Sequence, residues 1–292
     1  MDKNNQVINW FPGHMHKAEK ILAENLSMVD VIIELCDARI PYSSRNPEIN
    51  KVINNKHRVL VFNKSDLADP IISQKWAEYF KKNNVKALFT DCKSGEGVKQ
   101  VITAIRETMS EKIKNQAEKG RKIANIRAMV VGIPNIGKSS FINRCAGRAV
   151  AQTGDKPGVT RAKQWLRISD GISLLDTPGM LWPKLENQTS AYKLCCTGAI
   201  KDDIFDIGDI ACFLINYLRK HYPEELKARY KIDFTEDDEA YQILERCGAN
   251  RGCIVKGGEV DYTRISMLML DEFRGGKIGK MSMDDLEVLE EN

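Results

Sequence analysis

The stretch from Gly132 to Ser140 (GIPNIGKSS) limits the possible folds more than any other part of this chain of 292 residues. It follows the apolar run IRAMVV at 126–131 and fits the spacing G-x-x-x-x-G-K-[ST]. In that spacing, backbone N–H groups surround a phosphate group at the start of a helix. The sequence therefore predicts a strand, a phosphate-binding loop and a helix, with Lys138 on phosphate oxygens and Ser139 on Mg²⁺. The loop residues expected to contact the nucleotide are Asn135, Ile136, Gly137, Lys138, Ser139 and Ser140.

Short runs rich in Val and Ile alternate with helical patterns through the first 180 residues. These runs lie at 29–36, 58–62, 85–90 and 126–131, with two more on either side of Asp170-Gly171. Nearly continuous apolar strands that alternate with helices predict a mostly parallel sheet covered on both faces. The Asp-Gly pair is typical of a hairpin turn, so one edge strand is expected to be antiparallel. Apolar spacing near 3.6 predicts a surface helix over 95–119.

The strand pattern stops after residue 183. Helical patterns follow over 207–218, over 237–247 with a stop at Gly248, and over 261–274 with a stop at Gly275-Gly276. The sequence therefore predicts an α/β domain over 1–185 and an all-α domain over 186–292.

Charge is distributed unevenly between these two parts. Residues 1–187 contain 30 Lys and Arg against 19 Asp and Glu, a net charge of +11, whereas residues 188–292 contain 14 against 21, a net charge of −7. The basic part suits a polyanionic partner, although an ordinary lysine-rich surface has the same composition. No run approaches the roughly 18 apolar residues that span a bilayer, and the first residues lack a secretory profile. We therefore expect a cytoplasmic protein with no membrane partner.

A second motif agrees with the phosphate-binding loop. The run ISLLD ends in D-T-P-G, where Asp176 is expected to hold Mg²⁺ through water and the Gly179 N–H to sense the γ-phosphate. Between the two motifs, Thr160 lies in a turn-like segment and is a candidate to complete the Mg²⁺ shell. This threonine is the least specific of the three assignments, since threonines are common in loops.

Base choice is indicated by N-K-S-D at the end of the apolar run 58–62. A carboxylate at Asp66 accepts hydrogen bonds from N1–H and the exocyclic amine of guanine, whereas adenine presents an acceptor at N1. GTP or GDP is therefore expected rather than an adenine nucleotide. After the next strand, Asp91 and Cys92 occupy the place of an S-A-K-like loop, where the Cys92 amide would contact guanine O6. The base-side residues are Asn63, Lys64, Ser65, Asp66, Asp91 and Cys92.

The order of these motifs is informative. Ras-like GTPases run from the P-loop through the switch threonine and D-x-x-G to N-K-x-D and S-A-K, whereas this chain begins with N-K-x-D and ends with D-x-x-G. The same parts in rotated order describe a circularly permuted Ras-like P-loop GTPase domain. Such a permutation is tolerated when the strands still pair and the nucleotide loops stay at their carboxyl ends.

Three further motifs carry a family resemblance. They are W-F-P-G-H-M at 10–15, D-A-R-I-P at 37–41 and F-R-G-G-K-I-G-K at 273–280. Together with the permuted motifs they resemble the circularly permuted YlqF/YawG GTPase family over nearly the whole chain. The resemblance implies a bacterial factor that acts late in maturation of the large (50S) ribosomal subunit, with GTP hydrolysis linked to release. It also implies a helical C-terminal domain that helps bind ribosomal RNA, ribosomal proteins as further candidate partners, and a monomer.

The residue after the D-x-x-G glycine is Met180, where Ras-type enzymes have a glutamine that orients the attacking water. A thioether cannot donate a hydrogen bond to water, so the group that positions water must come from elsewhere. His14 is the candidate catalytic residue, and the resemblance implies the same role. The alternative is that Trp10 and Phe11 fill an apolar groove while His14 caps a helix. By resemblance to K⁺-dependent GTPases, Asn135 is a candidate K⁺ ligand, although a plain loop asparagine fits equally.

Two other function classes stay open at this point. One is a nucleotide-gated RNA- or protein-binding switch with negligible turnover of its own. The other is a tRNA-modification enzyme with a GTPase domain, which should carry a nucleophilic cysteine or cofactor site in a separate region. The helical part shows neither.

Overall fold

The computed structural model of the protein describes residues 23–47, 53, 56–120, 126–147, 149, 165–169, 171–177 and 187–289. Within these residues a six-stranded sheet occupies the first part of the chain, and helices account for the regular structure of the second. The strands are β1 (Val31–Asp37), β2 (His57–Asn63), β3 (Ala87–Thr90), β4 (Ile126–Val131), β5 (Trp165–Ser169) and β6 (Ile172–Asp176).

The strands lie in the order β3-β2-β1-β4-β6-β5, and all neighbours are parallel except β5 and β6. This confirms the predicted parallel sheet and its antiparallel edge. Every residue of β1 is buried because the strand is central and both faces of the sheet are covered. The carboxyl ends of β1, β2, β3, β4 and β6 therefore meet at one edge of the sheet.

The helices of the sheet unit whose two ends lie within the described residues are α1 (Pro70–Lys82), α2 (Val98–Thr108), α3 (Ser110–Glu118) and α4 (Lys138–Ala146). The prediction of one helix over 95–119 is wrong, since the chain turns at Met109 and forms two helices. Met109 directly follows the last residue of α2, and its side chain is buried. One face of α2 is also buried. No residue of α3 is buried. The break therefore separates a helix with a buried face from one that stays at the surface.

The second part of the chain contains α5 (Gln188–Cys196), α6 (Ile207–His221), α7 (Pro223–Tyr230), α8 (Ala240–Asn250) and α9 (Tyr262–Arg274). Asp206 and Asp261 begin α6 and α9 by accepting hydrogen bonds from the N–H groups of the first turn. The predicted stop of α9 at Gly275-Gly276 is confirmed, and Gly276 has a positive φ of 69°. Among the helices of the described chain, none is long and apolar enough to cross a bilayer.

The predicted stop of α8 at Gly248 is wrong, because the helix continues to Asn250. Gly248 is buried within the helix, and a Cβ atom placed on it would lie 2.5 Å from Cγ1 of Val260. The glycine therefore permits close packing rather than ending the helix, and a sequence pattern alone does not separate these two uses.

The described residues divide into two compact units. Residues 187–283 form the helical unit, and the residues up to 177 together with 284–289 form the sheet unit. The sequence pattern predicts that residues 284–289 belong to the helical part, whereas in the structure Leu286 and Leu289 pack against the apolar cluster around Trp76 and Phe80.

Candidate functional site

The loop between β4 and α4 has the form that the sequence predicts. A Cβ atom on Gly132 would lie 2.4 Å from the carbonyl oxygen of Leu35, and one on Gly137 would lie 2.5 Å from Nδ2 of Asn63. Gly137 also has a φ of 95°, in the left-handed region that favours glycine. Both glycines are therefore required by neighbouring strands of the sheet, and the loop leads directly into α4 at Lys138.

Lys138 is a buried cation held by the loop itself. Its side chain donates hydrogen bonds to the carbonyl oxygens of Gly132 and Ile133 at 3.2 and 2.8 Å. Burial lowers its pKa to about 8, although the charge of Asp176 works in the opposite direction. A phosphate group in the loop would supply the negative charge that favours the ammonium form.

Two hard oxygen donors meet beside this lysine. Ser139 Oγ lies 3.5 Å from Asp176 Oδ2, at the end of β6. The next residue, Thr177, donates a hydrogen bond from Oγ1 to the carbonyl oxygen of Val130 at 2.6 Å, which fixes the start of the D-T-P-G segment against β4. Mg²⁺ prefers oxygen ligands and usually keeps water and phosphate oxygens beside one or two protein groups, so this pair fits it.

The described residues contain no group of three or more His, Cys, Asp or Glu that would hold a metal ion alone. A metal at Ser139 and Asp176 would therefore depend on nucleotide and water oxygens. Thr160, Gly179 and Met180 lie outside the described residues, as does His14.

Asn63 joins the base side of the site to the phosphate side. Its buried side chain donates from Nδ2 to the carbonyl oxygen of Ile136 at 2.9 Å. Its Oδ1 accepts the N–H of Cys92 at 3.2 Å and the hydroxyl of Thr90 at 3.3 Å. One side chain thus links the N-K-S-D turn, the phosphate-binding loop and the loop after β3.

Asp66 is half-buried on the same turn. Its carboxylate accepts no hydrogen bond from any residue that the structure describes. The turn is fixed by the Ser65 N–H, which donates to the carbonyl oxygen of Thr90 at 3.1 Å. Both carboxylate oxygens of Asp66 are therefore available for the two N–H donors on the Watson–Crick edge of guanine.

The loop after β3 uses its predicted contact residues internally. Asp91 accepts the N–H groups of Lys93 and Ser94 at 2.7 and 3.1 Å. Burial raises the pKa of Asp91, but the Ser94 side chain and these amides outweigh it, and the net shift is downward. The Cys92 amide is donated to Asn63, so a contact with guanine O6 would have to share or replace that bond. Burial raises the pKa of the Cys92 thiol to about 12, which keeps it neutral.

An ion cluster that the sequence motifs do not predict lies beside the N-K-S-D turn at Asn63–Asp66, which we call the base turn. Asp37 at the end of β1 accepts two hydrogen bonds from the Arg39 guanidinium, at 2.9 and 2.8 Å, and one from the Arg39 backbone N–H at 3.0 Å, and it pairs with Lys64 at 3.1 Å. Burial raises the pKa of Asp37, but the charges of Arg39 and Lys64 outweigh it and hold the pKa well below the usual range. Asp37 faces Asn63 in the parallel register of β1 and β2, so the strand end itself was the available signal.

The remaining loop residues differ in exposure. Asn135 is exposed with a φ of 55°, and Ser140 is exposed on the first turn of α4. Ile136 is buried and contributes its carbonyl oxygen to Asn63. Lys64 also has a positive φ, of 63°, a conformation uncommon for lysine, and its side chain pairs with Asp37.

Comparisons with known proteins agree with this geometry. A family model described as "50S ribosome-binding GTPase" matches residues 127–250. The match begins within β4, so it contains the phosphate-binding loop but not Asn63–Asp66, which come earlier in the chain. This is the result expected when a family model meets a chain whose motifs are rotated.

Relatives match over nearly the whole chain. Ribosome biogenesis GTPase A of Priestia megaterium is 47% identical over 96% of this chain and 97% of its own length. A crystal structure of GNP-bound YlqF from T. maritima is 26% identical, covers 92% of this chain and 98% of that chain, and has a TM-score of 0.64. A GDP-bound structure of TM YlqF, also 26% identical, covers 91% and 99% with a TM-score of 0.65.

Proposed function

The chain belongs to the family of ribosome biogenesis GTPase A and hydrolyses GTP, and we propose that it does so in the cytoplasm during late assembly of the large ribosomal subunit. In this proposal the protein binds ribosomal RNA in its GTP state and is released after hydrolysis. The observation that carries the nucleotide-binding part of this proposal is the hydrogen bond from Asn63 Nδ2 to Ile136 O, because it joins the N-K-S-D turn to the phosphate-binding loop at one edge of the sheet.

Guanine specificity is assigned to Asp66. Neither oxygen of its carboxylate accepts a hydrogen bond from a described residue, and guanine presents two N–H donors on one edge. A site built to bond such donors rejects a base that lacks them, because the carboxylate would otherwise be left unpaired. Asn63 holds the turn in place, and the ion pair of Lys64 with Asp37 braces it.

The phosphate side is assigned to the loop amides, Lys138, Ser139 and Asp176. Lys138 neutralises phosphate oxygens, and the start of α4 directs N–H groups to the same place. Ser139 and Asp176 would hold Mg²⁺, with Thr160 as a further ligand. Mg²⁺ would add positive charge where negative charge develops during phosphoryl transfer. Gly179 is proposed to sense the γ-phosphate.

Water activation is assigned to His14, since Met180 cannot replace the glutamine of Ras-type enzymes. Asn135 is proposed to hold K⁺, which would provide the charge that an arginine finger provides elsewhere. Both roles belong to the GTP-bound protein on its ribosomal partner.

Binding to RNA is assigned mainly to the basic part of the chain. Residues 1–187 carry a net charge of +11, whereas residues 188–292 carry −7. Arg274 in the helical unit already pairs with Asp202 at 2.6 and 2.8 Å, so contacts there depend on local cations such as Lys277 and Lys280. Affinity for RNA that falls steeply with added salt would support this assignment.

The decisive experiment measures GTP turnover with and without purified large ribosomal subunits, in K⁺ and in Na⁺. We expect the subunit to increase turnover, and His14→Ala to abolish most of that increase while leaving GDP affinity unchanged. His16→Ala, which changes the same residue type two positions away, is the matched control and should behave as wild type.

Two results would contradict the proposal. Turnover that does not respond to large subunits would remove the assembly role. Stimulated turnover that survives His14→Ala would assign water activation to another group.

A further inference from the structure

The last described residues, 284–289, form a strap on the sheet unit, which we call the C-terminal strap. Asp284 is fully buried, and its carboxylate accepts the N–H groups of Tyr42 and Ser43 at 2.9 and 2.7 Å. It also accepts the Ser43 hydroxyl at 3.0 Å. The carbonyl oxygen of Asp284 accepts the indole N–H of Trp76 at 2.8 Å. The strap is thus fastened by directional bonds as well as by apolar packing.

The residues that Asp284 holds lead directly to the ion cluster beside the base turn. Ser44 follows Tyr42 and Ser43 in the chain, and its hydroxyl oxygen accepts the N–H of Asp37 at 2.9 Å. Asp37 in turn pairs with Lys64, and the Ala38 N–H donates to the carbonyl oxygen of Asn63 at 2.9 Å. A continuous series of short contacts therefore runs from the strap to the N-K-S-D turn.

We propose that the C-terminal strap is a positioning element of the guanine site, and that Asp284 acts as a positioning residue for it through the loop at residues 37–44. The inference rests on the proposed assignment of guanine recognition to Asp66. When the strap is in place, the loop holds Asp37 against Lys64 and fixes the turn that carries Asp66. When the bonds of Asp284 are lost, the loop relaxes and guanine nucleotides bind less tightly.

The chemistry at Asp284 favours this role over simple packing. An apolar side chain would be enough to cover the cluster around Trp76, as Leu286 and Leu289 do. A buried carboxylate is costly unless donors surround it, and here three donors come from two consecutive residues of one loop. Such charge-assisted bonds define both the distance and the orientation of that loop.

The test compares full-length variants by their affinity for a fluorescent GDP analogue and by GTP turnover at saturation. Asp284→Ala removes all three bonds, and we expect the Kd to rise by about tenfold with a faster dissociation rate. Turnover at saturating GTP should stay within about twofold, because the described contacts of the strap are with the loop at 37–44 and with α1, and not with Lys138, Ser139 or Asp176.

Asp284→Asn is the rescue variant. Its amide oxygen still accepts the two backbone N–H groups, and its NH₂ group donates to the Ser43 hydroxyl. We expect its Kd to lie within about threefold of wild type. Lys75→Ala removes an exposed ion pair with Asp285 of the same strap and should leave the Kd unchanged.

A variant that destabilises the sheet elsewhere separates positioning from general loss of stability. Leu166→Ala truncates a buried side chain of β5, at the opposite edge of the sheet from β3. The GDP affinity of Leu166→Ala should match that of wild type, measured at a temperature where Leu166→Ala and Asp284→Ala are both folded. If Asp284→Ala does not fold, Ser43→Ala removes one of the three bonds, and its Kd should rise by about two- to threefold.

Equal GDP affinity in Asp284→Ala and wild type would overturn the inference, as would an equal loss in Leu166→Ala. A wild-type protein that fails to bind the GDP analogue would instead refute the guanine site itself. The two failures are therefore distinguishable.

Discussion

Two buried carboxylates, one in each unit, are held by pairs of basic side chains yet serve different ends. Asp37 in the sheet unit pairs with Arg39 and Lys64, and Glu272 in the helical unit pairs with Arg229 and Arg251. Both carboxylate side chains are 2% exposed. For Glu272, burial raises the pKa but the Arg229 hydrogen bonds outweigh it, as the cations do for Asp37. Their local chemistry is nearly the same.

Their positions in the topology differ. Asp37 closes a central parallel strand, next to the strand end that carries Asn63. Glu272 lies in α9 and connects to Arg229 in α7 and to Arg251 at the end of α8. The first cluster therefore braces the turn that carries Asp66, and the second fastens three helices. The local geometry of a buried ion pair does not indicate its structural role. That role depends on which elements the pair connects.

The largest effect should come from Lys138→Met, which keeps the volume of the side chain but removes its charge from the phosphate loop. We expect GTP turnover to fall by about 10²- to 10³-fold. Lys81→Met, an exposed lysine at the end of α1, is the matched control and should leave turnover unchanged. Normal turnover in Lys138→Met would remove the phosphate site from this loop.

Asp37→Asn should affect both nucleotide binding and stability. Arg39 is 1% exposed and would keep its charge without a full counter-charge, so we expect a loss of about 3 kcal/mol in the free energy of unfolding. Affinity for GDP should fall by about tenfold, because Lys64 loses its partner. Denaturant titration and nucleotide titration measure the two effects. Glu107→Gln, which removes an exposed ion pair with Lys86, should change neither.

Glu272→Gln should lower stability alone. Its two arginines are 29% and 30% exposed and remain partly hydrated, so the expected loss is smaller, about 2 kcal/mol. GDP affinity should not change. Asp271→Asn, an exposed neighbour on the same helix, should cost less than about 0.5 kcal/mol. A change in the GDP affinity of Glu272→Gln would contradict the view that only the Asp37 cluster affects nucleotide binding.

The smallest effect is a pH dependence that belongs to Lys138 in the nucleotide-free protein. Its pKa is about 8 in the folded state against an ordinary value of 10.5, so between these values the unfolded state binds more protons. The free energy of unfolding of wild type relative to Lys138→Met should therefore rise with pH, by about 1 kcal/mol from pH 7 to pH 9. Unfolding titrations at several pH values measure it. Saturating GDP should flatten the slope, since phosphate favours the charged lysine.

Features written in a single stretch of sequence were predictable. The strand before Gly132, the loop and the start of α4 are consecutive, and their spacing alone predicts a phosphate site. The rotated order of motifs led to the correct sheet because parallel strand ends meet wherever the chain is cut. The antiparallel edge also followed from a local signal, the Asp-Gly pair before β6.

Features that depend on distant partners were not predictable in this way. Asp284 contacts Ser43 across 241 positions of sequence, and no local pattern marks either residue. The pairing of Asp37 with Lys64 requires the register of two strands before it can be stated. Asp91 and Cys92 lie in the loop after β3, as the sequence predicts, but their hydrogen bonds depend on Asn63 and on the turn that follows. The turn at Met109 likewise accompanies the burial of its side chain, which the local sequence pattern does not show.

The return of the chain to the sheet unit at Asp284 has a consequence for timing during synthesis. The ribosome makes residues 284–289 after every strand, helix and loop that they fasten. The loop at 37–44 is therefore synthesised long before the C-terminal strap that binds it. If the strap has the proposed role, a nascent chain that already holds the whole phosphate-binding loop would bind guanine nucleotides less tightly until residues 284–289 have been translated.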